Sequence, residues 1–225
     1  MSGYQIKHET VRVGPMLFTL RVLLDHEQYD DPNGAAQRLG ISPDCWSLFG
    51  QVWPSGQVLA EAMGLLDVES LRILELGAGL ALASLVAHRR GADVTVSDYH
   101  PEIPAFLQAN LALNGLGPLK YYPADWSAEA VGLGQFDLII GSDLLYESVH
   151  PAMLADFIDR HSADNVDILL VDPDRGYGDA FRLEMAELEY STRTTRVDRL
   201  LDNGERYRGA MLHFSRDERQ PVPAR

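Results

Sequence analysis

Leu71-Arg72-Ile73-Leu74-Glu75-Leu76-Gly77-Ala78-Gly79 is the stretch on which the reading of the fold turns. An apolar run too short for a helix ends in two glycines, and a helix-length segment, Ala81 to Arg90, follows directly. A strand that enters a glycine turn and leaves it as a helix opens a parallel α/β sheet, and the glycines let a ligand approach the backbone closely. Working outward, the alternation repeats. Asp93 to Ser97 reads as a strand and Glu102 to Leu113 as a helix; Leu119 to Tyr122 is a weaker strand and Phe136 to Gly141 a strong one. His150 to His161 then reads as a helix, Val166 to Val171 as a strand and Tyr177 to Leu188 as a helix. This pattern predicts a Rossmann-like α/β fold, its mostly parallel sheet covered on both faces. At the end, Ser191 to Leu201 and Glu205 to Phe214 flank Asp202-Asn203-Gly204, a hairpin signal that makes the final strand antiparallel.

Upstream, Tyr4 to Leu24 predicts a β-hairpin around Gly14-Pro15, and the polar stretch Asp25 to Asp44 a loop bordering a site, with one short helix near Ala35 to Leu39. After Trp53-Pro54-Ser55-Gly56, the apolar residues Val58, Leu59, Ala62, Met63, Leu65 and Leu66 recur at helical spacing. The chain thus divides into an N-terminal extension, 1–50, packed on a catalytic domain, 51–215, and a polar tail, 216–225, expected to fray.

The 225 residues carry 19 basic and 33 acidic side chains, a formal charge of 19 − 33 = −14, and no run of Lys and Arg. Such a surface repels phosphate backbones, so no nucleic-acid partner is expected and a cationic one is favoured. Cys45 stands alone, which excludes an intrachain disulfide and a cluster of cysteine ligands for zinc. His88, His100, His150, His161 and His213 lack ligand spacing and read as surface or core residues, so no metal is expected. No signal peptide and no membrane-length apolar run is visible, which predicts a soluble, cytoplasmic protein away from membranes.

The glycine turn is not the dinucleotide fingerprint, because position 82, where a third glycine would stand, is Leu. Glu75, just before the turn, would crowd a pyrophosphate but suits a cationic cofactor. Asp98 ends the next strand, 21 positions after Gly77, where a carboxylate can accept ribose hydroxyls, with Tyr99 beside it. Asp125 can accept an adenine amino group and Trp126 cover the base. Ser142, Asp143 and Tyr146 follow the strand Phe136 to Gly141 and should face the same crevice, since ligands bind at the carboxyl ends of such strands. Structural alternatives stand beside these readings. Gly77-Ala78-Gly79 can be a tight turn only, Asp98 a cap for the helix near Pro101, and Asp143 a cap near Ser148. Tyr146 can be a core tyrosine, and Trp53 a core anchor rather than a cofactor-pocket wall. Gly-x-Ser-x-Gly and Walker-type loops are absent.

Taken together, Leu74-Glu75-Leu76-Gly77-Ala78-Gly79, Trp53-Pro54-Ser55-Gly56, Asp125-Trp126 and Asp143-Leu144-Leu145-Tyr146 resemble the seven-β-strand protein lysine methyltransferases of the Asp-x-x-Tyr type. The resemblance runs from about Cys45 to Met153, with a fainter match in the last hairpin. It implies a class I methyltransferase fold with a seven-stranded sheet and a reversed final strand, S-adenosylmethionine as cofactor, and Asp143 and Tyr146 beside the transferred methyl group. Asp143 would attract the incoming ammonium, and Tyr146 would position the amine after it loses its proton. Nicotinamide-N-methyltransferase-like proteins are similar too, so a small amine or heteroaromatic nitrogen stands as an acceptor beside a protein lysine. An NAD-dependent oxidoreductase and a cofactor-binding protein without turnover are the further readings. Val171-Asp172-Pro173-Asp174-Arg175-Gly176 departs from the family pattern and reads either as a structural turn or as part of the substrate rim.

Overall fold

The computed structural model describes residues 3–217. Its first unit is a hairpin, β1 (Ile6–Val13) and β2 (Met16–Leu23), paired from Ile6↔Leu23 to Val13↔Met16. The connecting segment holds α1 (Ala35–Arg38), α2 (Pro43–Trp46) and a 3-10 turn, Ser47–Gly50. The rest alternates: α3 (Pro54–Leu65), β3 (Arg72–Leu76), α4 (Leu82–Arg89), β4 (Asp93–Ser97), α5 (Ile103–Leu113), β5 (Lys120–Tyr122), β6 (Phe136–Ser142), α6 (His150–His161), β7 (Ser162–Asp172), α7 (Gly178–Glu187), β8 (Ser191–Leu200) and β9 (Arg206–Asp217).

The seven sheet strands lie in the order β5-β4-β3-β6-β7-β9-β8. Strands β5 to β7 pair in parallel, and β9 inserts antiparallel between β7 and β8, so the final strand is reversed as expected. Strand order turns back at β3, whose neighbours are β4 on one side and β6 on the other. That switch point leaves a crevice beyond the carboxyl ends of β3 and β6.

Period-two alternation divides the core between the sheet's faces. Ile73, Val94, Val96, Leu138, Ile140, Leu169 and Val171 pack with α3, α4, α5 and the hairpin. Leu74, Leu76, Ile139, Ile168, Leu170, Leu212 and Phe214 pack with α6 and α7. Both faces are dry, which is why the central strands are continuous apolar runs. The hairpin docks on α5 through side-chain amides as well as apolar contact. Asn114 Oδ1 accepts the Thr19 N–H at 3.0 Å, Asn114 Nδ2 donates to Thr19 O at 2.8 Å, and Asn110 Oδ1 accepts the Arg21 N–H at 2.7 Å. The free edge of β2 is thereby sealed.

Several elements differ from the sequence reading. The polar stretch before Trp53 holds α2 and the 3-10 turn in addition to the expected α1, and Pro43 at the start of α2 supplies the fixed φ that begins it. Strand β7 begins at Ser162 rather than Val166, directly where α6 ends; Ser162 pairs with Phe136 and its hydroxyl donates to Ile158 O at 2.8 Å. Asp164 and Asn165 had masked this start, being residues that strands disfavour. Arg216 and Asp217, expected in the tail, complete β9, where Arg216 bonds Asp159 at 2.6 Å. The rest of the tail, 218–225, lies outside the described residues. Among the described residues no helix is long and apolar enough to cross a membrane, and no group of side chains could hold a metal ion.

Candidate active site

Strand β3 carries Glu75 into the interior, 3% exposed, at the brink of the glycine loop. Its Oε2 accepts the Ser84 N–H at 2.9 Å and also the Ser84 hydroxyl. Ser84 lies in the first turn of α4, where N–H groups have no partner within the helix, so this carboxylate fastens the helix start. Burial is the main cause that pushes Glu75 up to about 7; the Ser84 bonds oppose it and nearby Asp98 adds to it. Asp98, also buried, accepts the Gly79 N–H on Oδ2 at 3.0 Å and the His100 N–H on Oδ1 at 2.9 Å. Burial holds it above the usual carboxylate range against those bonds. Asp98 therefore braces the glycine loop and its own turn, and not the helix near Pro101.

Two conformational demands explain the glycines. Gly77 has φ +54°, and a Cβ there would stand 2.5 Å from Leu144 Cδ2; Gly79 has φ +51°, and a Cβ there would stand 3.0 Å from Phe49 O. The first contact ties the turn after β3 to the turn after β6, and the second ties it to the segment overhead. A tight turn alone would need the positive φ but not the crowding.

A cavity of about 480 Å³ opens from this loop. Trp53, Glu75, Gly77, Gly79, Asp98, Tyr99, Asp125, Trp126, Ser142, Asp143 and Tyr146 all line it, so the structure brings these candidate cofactor and catalytic residues to one place. Trp53 stands in the wall, its indole N–H donating to Leu48 O at 2.8 Å. Asp125 spends Oδ1 on the Ser127 N–H at 2.8 Å and hydroxyl at 2.7 Å, which folds a tight turn and holds Trp126 edge-on to His150 at 5.5 Å. Arg160 of α6 pins the same turn through Trp126 O and Ala128 O, each at 3.2 Å.

At the other end, β6 stops at Ser142 and the chain turns sharply: Asp143 has φ +57° and donates its N–H to Val171 O at 2.9 Å. Asp is one of the few side chains that tolerate this left-handed region. Its carboxylate does not cap the helix near Ser148. It takes a two-point ion pair from Arg175, with Nε at 2.9 Å and Nη2 at 3.0 Å. Tyr146 is half exposed and meets the His150 ring edge-on at 4.5 Å, so it is a rim residue and not a core tyrosine. Partial burial holds the Tyr146 hydroxyl well above its ordinary value.

The sequence reading treated His150 as surface or core. It lines the cavity, bonded through Nδ1 to Leu144 O at 2.9 Å, and stands between Trp126 and Tyr146. Its position four residues after Tyr146 was the available signal. Phe49 and His100, stacked at 4.0 Å, extend the wall; burial is the main cause that lowers His100 to about 4, so it is neutral there at pH 7. Arg175 was left between turn and rim, and the structure puts it on the rim in contact with Asp143.

Residues 39–188 match a family model described as lysine methyltransferase. A zebrafish protein named protein N-lysine methyltransferase METTL21A is 33% identical over 147 residues, 60% of this chain and 66% of that one, so the chain spans a little under two thirds of its length. A rat histone-arginine methyltransferase, METTL23, is 33% identical over 104 residues, 43% of this chain and 46% of its own. Among solved structures, a ribosomal protein L11 methylase from Lactobacillus delbrueckii superposes with a TM-score of 0.57 at 22% identity, over 73% of this chain and 79% of that one, a likeness of fold.

Proposed function

We propose that this chain, which belongs to the lysine methyltransferase family, transfers a methyl group from S-adenosylmethionine to a lysine side-chain amine of a protein. One observation carries the proposal: Asp143 and the exposed Tyr146 line the same cavity as Gly77, Gly79 and the buried Glu75 and Asp98, which form its inner end.

The inner end fits this cofactor. The glycines leave room against the backbone, and no cation offsets the buried carboxylates of Glu75 and Asp98 among the described residues. They suit a ligand that brings an ammonium and hydroxyl donors, and they oppose the two phosphates of a nicotinamide dinucleotide. We assign Asp98 to the ribose hydroxyls, and Asp125 and Trp126 to the adenine. Trp53, Tyr99 and Ser142 complete the wall. When bound, S-adenosylmethionine supplies an electrophilic methyl on its sulfonium.

The remaining chemistry belongs to the chain. A lysine ammonium has no lone pair at neutral pH and must shed a proton before it can attack. Asp143 orients the cation by charge and hydrogen bonding. Tyr146 stays protonated, so it positions the amine through its hydroxyl and is not the base. Trp53 and its apolar neighbours exclude water around the amine, which lowers its pKa and eases proton loss to solvent. Residues 1–50 serve as an extension on the catalytic unit 51–215, and a reducing cytoplasm suits the lone Cys45.

Incubation of a source-cell extract with methyl-labelled S-adenosylmethionine tests the proposal. We expect label in a discrete protein, recovered as methyl-lysine after hydrolysis and absent with Asp143→Asn. Label confined to small molecules would make a small amine the acceptor, and methyl-arginine in the hydrolysate would reject lysine.

A further inference from the structure

The ion pair between Asp143 and Arg175 is an arrangement that amine binding must undo. Asp143 is the carboxylate to which the acceptor's cation is assigned, yet a guanidinium already holds both of its oxygens, at 2.9 and 3.0 Å. A bidentate guanidinium is a stronger partner for a carboxylate than the single-point ammonium of lysine.

Arg175 is also delivered there by a built loop. Asp172, buried at the end of β7, accepts the Asp174 N–H at 3.0 Å; Asp174 takes a left-handed turn at φ +66° and pairs with Arg196 of β8 at 2.5 Å. Gly176 follows at φ +104°. With Asp174 held on one side, Arg175 reaches across to the end of β6. Its side chain is 48% exposed while that of Asp143 is 13% exposed, so the guanidinium forms the solvent side of the pair, at the mouth.

We propose that Arg175 is an internal competitor for the acceptor's cation, displaced by acceptors that carry a carboxylate beside the target amine. The inference rests on the assignment of Asp143 to a cationic acceptor. The exchange conserves charge pairs: the amine takes Asp143, and the acceptor's carboxylate takes the released Arg175. An acceptor with a neutral neighbour instead offers the released Arg175 no new carboxylate and leaves it only the pull of Asp172, which is buried and bonded through Oδ1 to the Asp174 N–H. The formal charge of −14 repels acidic acceptors at long range, but that field is screened beyond about 8 Å at physiological salt. Selection by Arg175 therefore acts on contact.

The test uses the whole chain loaded with S-adenosylhomocysteine and two blocked dipeptides, Ac-Lys-Glu-NH2 and Ac-Lys-Gln-NH2, titrated by NMR and then assayed as methyl acceptors. The protein should bind the glutamate peptide at least about fivefold more tightly than the glutamine peptide. Arg175→Ala should bring that ratio close to one and tighten the glutamine peptide by a similar factor; Arg175→Lys, which keeps charge but loses the fork, should fall between. An unchanged ratio, weaker glutamine-peptide binding in Arg175→Ala, or no binding of either peptide to either protein would overturn the proposal. Methylation of lysine without the glutamate preference would sink the role of Arg175 and leave the lysine reading standing. The preference in binding, with methyl transfer to small amines alone, would do the reverse.

Discussion

At the inner end of the cavity, Glu75 and Asp98 rest on one serine hydroxyl and on backbone N–H groups of the glycine loop, the start of α4 and the turn after β4. At the outer end, Asp143 rests on the side chain of Arg175, 32 residues away in sequence. Backbone donors have nowhere else to go, so the inner carboxylates belong to the frame of the loop. A guanidinium at a half-exposed rim can swing away, so the outer carboxylate has a partner that can be exchanged. One end is built to hold a constant ligand, and the other to tell acceptors apart.

The sharpest way to break this comparison is at Asp143. Asp143→Asn should lower kcat/KM for the protein acceptor by about 10²–10³, on the order of 3–4 kcal/mol of transition-state stabilisation, with S-adenosylhomocysteine affinity within about twofold of the parent by calorimetry. Turnover retained within threefold would mean that the two ends do not divide the work as described.

Glu75 probes the inner end through pH. Its ordinary value of 4.5 is raised to about 7 in the folded protein, so between those values the native state keeps a proton that the unfolded chain has lost. The contribution of Glu75 to stability is therefore full below pH 4.5 and falls as pH rises toward 7, by about 3 kcal/mol. Denaturant unfolding at pH 4.5, 5.5 and 7 should show Glu75→Gln losing less stability over that range than the parent, and parallel curves would remove the burial argument.

Gly77→Ala comes next in size. It places a methyl against Leu144 and forces a left-handed alanine, for a loss of about 2 kcal/mol in stability and at least tenfold in cofactor affinity. Because Gly77 touches the turn after β6, acceptor binding should weaken as well; an effect confined to the cofactor would show that the ends are independent.

The smallest effect belongs to Tyr146→Phe. Loss of a positioning hydroxyl that remains protonated should cost about tenfold in kcat, roughly 1.4 kcal/mol, with the shape of the pH–rate profile unchanged. A lost basic or acidic limb would reinstate Tyr146 as a proton carrier.

The same contrast explains what the sequence disclosed. The strands flanking the switch point were legible because both faces of each are buried, which leaves runs such as Leu138 to Ile140 almost purely apolar. The glycine loop was legible because its chemistry is contiguous. The sequence marked Glu75 as a cofactor residue, but nothing in the spacing reveals that Ser84 also claims one of its oxygens. The start of β7 was hidden by Asp164 and Asn165, and α2 by being a single turn in a polar stretch. The partner of Asp143 was beyond reach, because a pairing across adjacent strand ends is set by sheet order and not by any local pattern. His150, at the start of α6, had only its nearness to Tyr146 in the chain to mark it.

The amides of Asn110 and Asn114 that clamp β2 to α5 bear on the timing of self-assembly. Thr19 and Asn114 are 95 residues apart, so their bond closes one of the longest loops in the chain, and loops of that length close late compared with neighbouring strands and helices. The hairpin anchors the segment that sets Phe49 against the glycine loop and Trp53 in the cavity wall. During refolding, we expect S-adenosylhomocysteine binding to lag behind the circular-dichroism signal of the sheet and to keep pace with the arrival of the hairpin.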